Sequence, residues 1–214
     1  MQNHIKVAVI GGTGKSGKYL VQQLINEGIS IKMLVRNPNH LSINHPLIEI
    51  VYGNVQDYHT VYQLLEGCRA VISTLGLGIP ASEPTLFSEA TRHILQGMEA
   101  WHIRRYIVTT GLNVDTPFDK KSPKTMFGTE WMKNNYPVST QNKQDEYQIL
   151  VDSHVDWTLV RLPLIEQTAE RYLVKISTED CLGDKISATD LAYFLVEQLS
   201  TTTFIQKAPF VANS

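Results

Sequence analysis

The chain has 214 residues, 43% of them apolar, which suits one folded domain with a sizeable core and excludes a disordered polypeptide. Its 19 basic and 21 acidic residues leave a net charge of −2, with no basic footprint for nucleic acid or for an anionic membrane surface. Cys68 and Cys181 are too isolated for a disulfide framework, and the seven histidines show no metal-ligand spacing. No apolar run approaches the ~18 residues of a membrane span, so the expectation is a cytoplasmic protein without metal or membrane.

In chain order, Ile5 to Ile10 is a short β-branched run of the kind that forms a strand buried on both faces. A glycine-rich turn spans Gly11 to Gly17. Helical spacing follows from Lys18, with Leu20, Val21, Leu24 and Ile25 on one face and Gly28 as the stop. Further strands are expected at Ser30 to Val35, Ile48 to Val51, Ala70 to Thr74, Arg105 to Thr109 and Trp157 to Arg161. Helices are expected through Val61, Leu64 and Leu65 to near Gly67, from Pro84 to Trp101, and from Gln141 to Ser153. A last helix opens at Ser187, a good N-cap, and Asp190 suits its dipole. Strand and helix alternating this regularly predict an α/β fold: one domain, doubly wound, with a mostly parallel sheet and helices on both faces. Residues about 163–214 form a small C-terminal portion. Residues 113–141 read as a long polar and aromatic loop carrying Phe127, Trp131 and Tyr136, and loops of that length are often lids or binding loops.

The segment Gly11-Gly12-Thr13-Gly14-Lys15-Ser16-Gly17 lies between the first strand and the first helix. Without Cβ atoms at 11, 14 and 17, the backbone can approach a pyrophosphate held at a helix N-terminus. Gly14-Lys15-Ser16 also echoes a triphosphate-binding loop, but that motif needs a glycine five places before Gly14, where Val9 stands. At the end of the second strand, Leu34-Val35-Arg36-Asn37 offers no acid for a ribose 2′-hydroxyl. Arg36, helped by Lys15, favours a 2′-phosphate and hence NADP(H); the alternative is a solvated surface arginine.

Further segments are Val51-Tyr52-Gly53-Asn54-Val55, Ser73-Thr74-Leu75-Gly76, Val108-Thr109-Thr110-Gly111, Val160-Arg161-Leu162-Pro163 and Ile186 to Ala192. Together with the glycine loop, they make the chain resemble the atypical short-chain dehydrogenase/reductases, a Rossmann-type family, and especially their biliverdin-IXβ reductase and NADPH flavin reductase type. The resemblance implies roles. Thr13, Gly14, Lys15 and Ser16 would hold the pyrophosphate and Arg36 the 2′-phosphate. Asn54 and Val55 would flank the adenine, Asn54 standing where the family usually has Asp. Leu75 and Gly76 would cover the middle of the cofactor, with Thr110 and Pro163 near the nicotinamide. Tyrosine-dependent members carry Tyr-x-x-x-Lys; here Lys143 is in register, but Ser139 stands four positions before it, and Pro137 separates it from Tyr136. Thr110 is the nearest hydroxyl to the family's serine position, so Thr110 and Lys143 are the expected catalytic groups. Phe127, Trp131 and Tyr136 are expected either to stack a small-molecule acceptor or to pack their own loop.

Three functions follow: an NADPH-dependent reductase of a carbonyl, quinone or flavin-like acceptor; a non-catalytic NADP(H) sensor; and an epimerase or dehydratase of nucleotide sugars. The last needs a larger C-terminal lobe than about fifty residues can build.

Overall fold

The computed structural model describes residues 5–40, 43–77 and 83–214. Strands β1 (Lys6–Ile10), β2 (Ser30–Val35), β3 (Ile48–Tyr52), β4 (Ala70–Ser73), β5 (Arg105–Gly111) and β6 (Asp156–Leu162) are all parallel. Two later strands extend the sheet: β10 (Phe210–Asn213) lies parallel to β6, and β8 (Val174–Ser177) closes the edge antiparallel to β10. The spatial order is β3-β2-β1-β4-β5-β6-β10-β8. A separate parallel pair joins β7 (Leu164–Glu166) to β9 (Lys185–Ser187). This is the doubly wound, Rossmann-type α/β fold.

Alternation along each strand builds two cores. In β1, Val7 and Val9 face the helices α1 (Gly17–Asn26) and α6 (Ala188–Glu197), whereas Ala8 and Ile10 face α2 (Tyr58–Leu65), α3 (Leu86–Ala100) and α5 (Pro137–Val151). Helices on both sheet faces leave the strands no solvent side, so β1 and β4 are apolar almost throughout. The order reverses between β1 and β4, and that reversal opens a crevice at the C-terminal ends of the strands, where this fold binds its ligands.

One expectation changes. Residues 113–141 are not a continuous loop: they hold α4 (Pro123–Asn135) and the start of α5. Thr125 and Thr129 are the buried residues of α4, while Met126, Phe127 and Trp131 are exposed, so no apolar stripe marks it. Polar groups dock it instead. Ser122 Oγ caps it by accepting from Thr125 N, the Ser122 amide donates to Asp180, and Lys121 Nζ donates to Thr129 Oγ1 at 3.2 Å and Leu112 O at 2.9 Å. Ser122-Pro123, a cap followed by proline in the first turn, is the sequence signal for this helix. Pro137 does separate two helices, as its missing N–H requires, with Tyr136 at the junction.

The Ser187-to-Asp190 segment does more than open α6. Ser187 Oγ accepts from Asp190 N, as a cap should, and donates to Glu170 O at 2.6 Å. The Asp190 carboxylate is buried and accepts from Arg171 Nε, Tyr172 N and Asn213 Nδ2, tying segment 168–172 and β10 to α6.

Candidate functional site

The glycine loop runs directly from β1 into α1. Gly11 has φ +80°, a conformation glycine adopts without strain, and its carbonyl accepts from Gly14 N at 2.9 Å. A Cβ on Gly17 would overlap the Gly11 carbonyl oxygen, so the helix start packs against the loop with no room for a side chain. Ser16 is the N-cap of α1, yet its hydroxyl makes no capping bond. Among the described residues, the amides of Thr13, Lys15, Ser16 and Gly17 also find no backbone acceptor. Free amides, a free hydroxyl and the helix dipole make an anion cradle, which is the fit a pyrophosphate requires.

The cradle leads into a cleft of about 230 Å³, bounded by Ser16, by Leu75 and Gly76 after β4, by Thr110 of β5 and by Pro163 after β6. A Cβ built on Gly76 would meet nothing within 4 Å among the described residues. Lys143 and Ser139 enter from α5, one helical turn apart, and Met132 enters from α4. Asn113, whose Nδ2 donates to Thr140 Oγ1 at 3.0 Å, completes the floor.

Two groups in this cleft bear on chemistry. Thr110 Oγ1 is buried and has no hydrogen-bond partner among the described residues. An orphaned buried hydroxyl is destabilising, and a ligand in the cleft would satisfy it. Lys143 Nζ donates to Glu146 Oε2 at 2.8 Å and to Thr109 O at 3.2 Å, and lies 3.8 Å from the centre of the Phe87 ring. Behind this pair, Thr91 Oγ1 donates to the other Glu146 oxygen at 2.9 Å and sits 3.4 Å from Tyr106 Oη. Burial, and secondarily the Glu146 charge, push the Tyr106 phenol well above its ordinary pKa, so it stays neutral.

The expected site residues are therefore partly gathered. Ser16, Leu75, Gly76, Thr110, Lys143 and Pro163 share one cleft, and Gly11, Thr13, Gly14, Lys15 and Gly17 belong to the glycine loop that leads into it at Ser16. Arg36 is exposed just past the C-terminal end of β2, with no ion-pair partner among the described residues. Asn54 is exposed, its Oδ1 accepting from Gln56 N, while the Val55 side chain is buried in the core. Phe127, Trp131 and Tyr136 do not line the cleft: all three are exposed, and the Trp131 and Tyr136 rings meet at 60° with centres 5.8 Å apart. Met132 lines it in their place, because one residue further along a helix turns the side chain by about 100°. Sequence reasoning missed Met132, Asn113, Phe87 and Ile165 as lining residues. Glu146, three residues after Lys143, was open to the helical-spacing argument.

Solved structures share this fold. An anaerobillin reductase, ChuY, from Escherichia coli O157:H7 superposes with TM-score 0.80 at 17% identity over 97% of both chains. A short-chain dehydrogenase/reductase from Veillonella parvula, solved in complex with NADP, gives TM-score 0.78 at 16% identity, covering 98% of this chain and 94% of the other. Among curated relatives, photosystem II assembly factor Ycf39 from Trieres chinensis is 23% identical over 182 residues, 82% of this chain and 57% of that protein. Eugenol synthase 1 from Petunia hybrida is 27% identical over 125 residues, 54% of this chain and 38% of its own length. The chain thus spans just over half of the first relative and under two fifths of the second. No described helix is long and apolar enough to cross a membrane. The model of the NAD(P)H-binding family matches residues 11–202, glycine loop included, and the chain belongs to that family.

Proposed function

We propose that the protein is an NADPH-dependent reductase that passes hydride to a small carbonyl, quinone or flavin-like acceptor bound between Thr110, Lys143 and Met132. The observation that carries this reading is the one cleft in which the cradle at Ser16 meets a Thr110 hydroxyl that has no partner among the described residues. Bound NADPH would supply the hydride; a quinone that takes it needs one further proton to become the hydroquinone, and water at the open mouth supplies that proton. The chain's own part is binding and orientation. The loop amides and Ser16 hold the pyrophosphate, Arg36 holds the 2′-phosphate, and Asn54 is placed to reach the adenine edge. The Thr110 hydroxyl donates to the ligand oxygen as negative charge develops there. Lys143 has three protons, of which two are engaged by Glu146 and Thr109, leaving one for the cleft. Ser139 takes the place of a tyrosine and carries no acid of useful strength, so proximity accounts for more of the rate than proton donation by a side chain.

NADPH fluorescence titration, followed by oxidation with menadione or riboflavin in the same cuvette, tests the reading. Saturable binding with turnover supports it; binding without turnover removes the reductase assignment and keeps the cofactor. Arg36→Ala is expected to weaken NADPH about tenfold and to leave NADH unchanged, since an exposed charge-assisted contact to phosphate contributes roughly 1.5 kcal/mol. Equal losses for both nucleotides would remove the 2′-phosphate role. Thr110→Val should raise stability by about 1 kcal/mol by deleting an unsatisfied buried hydroxyl, while turnover falls roughly tenfold. A destabilised Thr110→Val protein would mean that the hydroxyl has a structural partner.

A further inference from the structure

We infer that the acceptor end of the cleft selects uncharged molecules, and that Glu146 sets this selection by cancelling the charge of Lys143. The inference rests on the reading of this cleft as the acceptor site and names the acceptor's chemical class.

Lys143 is the one ionisable side chain that lines the cleft among the described residues; the other lining groups are apolar, hydroxyl, amide or glycine. Residues 78–82, outside the description, are Gly-Ile-Pro-Ala-Ser and bring no charge by composition. Lys15 belongs to the glycine loop beyond Ser16, and two further cations are held in ion pairs. Arg161 is paired with Asp119, and Lys121 with Asp115. The amides and hydroxyl of the glycine loop sit at the phosphate end.

The Lys143 charge does not act alone. Glu146 Oε2 lies 2.8 Å from its ammonium, the glutamate is 2% exposed, and its other oxygen is held by the Thr91 hydroxyl at 2.9 Å. Fixed at both oxygens and buried, the carboxylate cannot swing out to water and leave the lysine free. The wall therefore offers a hydrogen-bond donor with no net charge. A carbonyl or quinone oxygen needs only the donor. A carboxylate, sulfonate or phosphate would have to give up its hydration and then face Glu146 behind the lysine, a poor exchange in an apolar setting. Glu146 does not touch the acceptor in this arrangement: it is a specificity residue acting through Lys143.

The test compares two ligands with one ring system, menadione and 1,4-naphthoquinone-2-sulfonate. Each is titrated calorimetrically into protein saturated with NADP⁺, so that the phosphate cradle is filled. Menadione is expected to bind at least about tenfold more tightly. Glu146→Gln, which keeps the shape and an acceptor for Lys143, should narrow that ratio about fivefold or more, or reverse it, by uncovering the ammonium. Because removing one member of a buried pair can unfold a protein, the double change Lys143→Met with Glu146→Leu is a second arm. It removes both charges and should keep the preference for menadione. Equal or tighter sulfonate binding to the wild type overturns the inference, as does binding of neither ligand. An unchanged ratio in folded Glu146→Gln, or a lost preference in the double variant, does the same. None of these measurements needs turnover, so failure to oxidise NADPH would remove the reductase reading while the binding ratio still judges this one.

Discussion

Replacing Arg161 with methionine is expected to destabilise the protein by about 3–5 kcal/mol, lowering the melting temperature by roughly 10 °C for a domain of this size. The side chain is fully buried, yet every face of the guanidinium is used. Nε donates to Ala208 O at 2.8 Å, Nη1 to Asp119 Oδ1 at 2.6 Å and to Val114 O at 3.2 Å, and Nη2 to Thr178 O at 3.1 Å. Its plane stacks on Phe210, 3.6 Å from the ring centre. Burial pulls its pKa below the ordinary arginine value while Asp119 opposes that fall, and the group remains a cation at neutral pH. Methionine fills the volume but leaves Asp119 with only the more distant Lys121 ammonium, at 3.6 Å, as counter-charge and leaves the carbonyls without donors, losses that weigh heavily in a low-dielectric interior. Arg161→Lys should recover less than half of the loss, because a point ammonium cannot serve a fork of acceptors on three chain segments. Thermal and urea melts check both variants, and hydrogen exchange should show segments 113–121 and 207–213 opening first. A melting temperature within 2 °C of wild type would show that the network contributes little.

The second large effect is expected on the cofactor. Gly17→Ala should raise the NADPH dissociation constant about a hundredfold, or roughly 2.7 kcal/mol, near the upper end of what overpacking alone costs. The added methyl would lie 2.8 Å from both the Gly11 carbonyl carbon and the Gly12 Cα, which are backbone atoms and cannot rotate away. The loop must spread, and its free amides lose their common focus. Since the strain is confined to the loop, the melting temperature of unliganded protein should fall far less than in Arg161→Met. A dissociation constant within threefold of wild type would contradict the close approach of loop and pyrophosphate.

The two variants also separate what could be read locally from what could not. Gly17 was legible because its role is set by neighbours within six residues: strand, tight turn, helix start. Arg161 was visible only as part of a family-like segment; its partners lie up to 47 residues away, and nothing in Val160-Arg161-Leu162 announces them. The same holds for α4. Met126, Phe127 and Trp131 point to solvent and its threonines point inward, so apolar periodicity, which reports burial, had little to report. Strand β10 was missed because four residues near the chain end carry too short a pattern to separate strand from coil.

Local residues alone announced the doubly wound α/β core, the glycine-rich turn between first strand and first helix, and the positions of Arg36, Thr110 and Lys143 along the chain. Period, capping and backbone freedom act over a few residues, and they are written where they act. Tertiary structure alone decided that Met132 rather than Trp131 faces the cleft, that Thr110 has no hydrogen-bond partner among the described residues, and that the i, i+3 pair of Lys143 and Glu146 is buried against Thr91 of another helix. Those facts depend on how elements far apart in sequence meet at the C-terminal edge of one sheet, and that meeting is set by packing and crossover geometry rather than by any local preference.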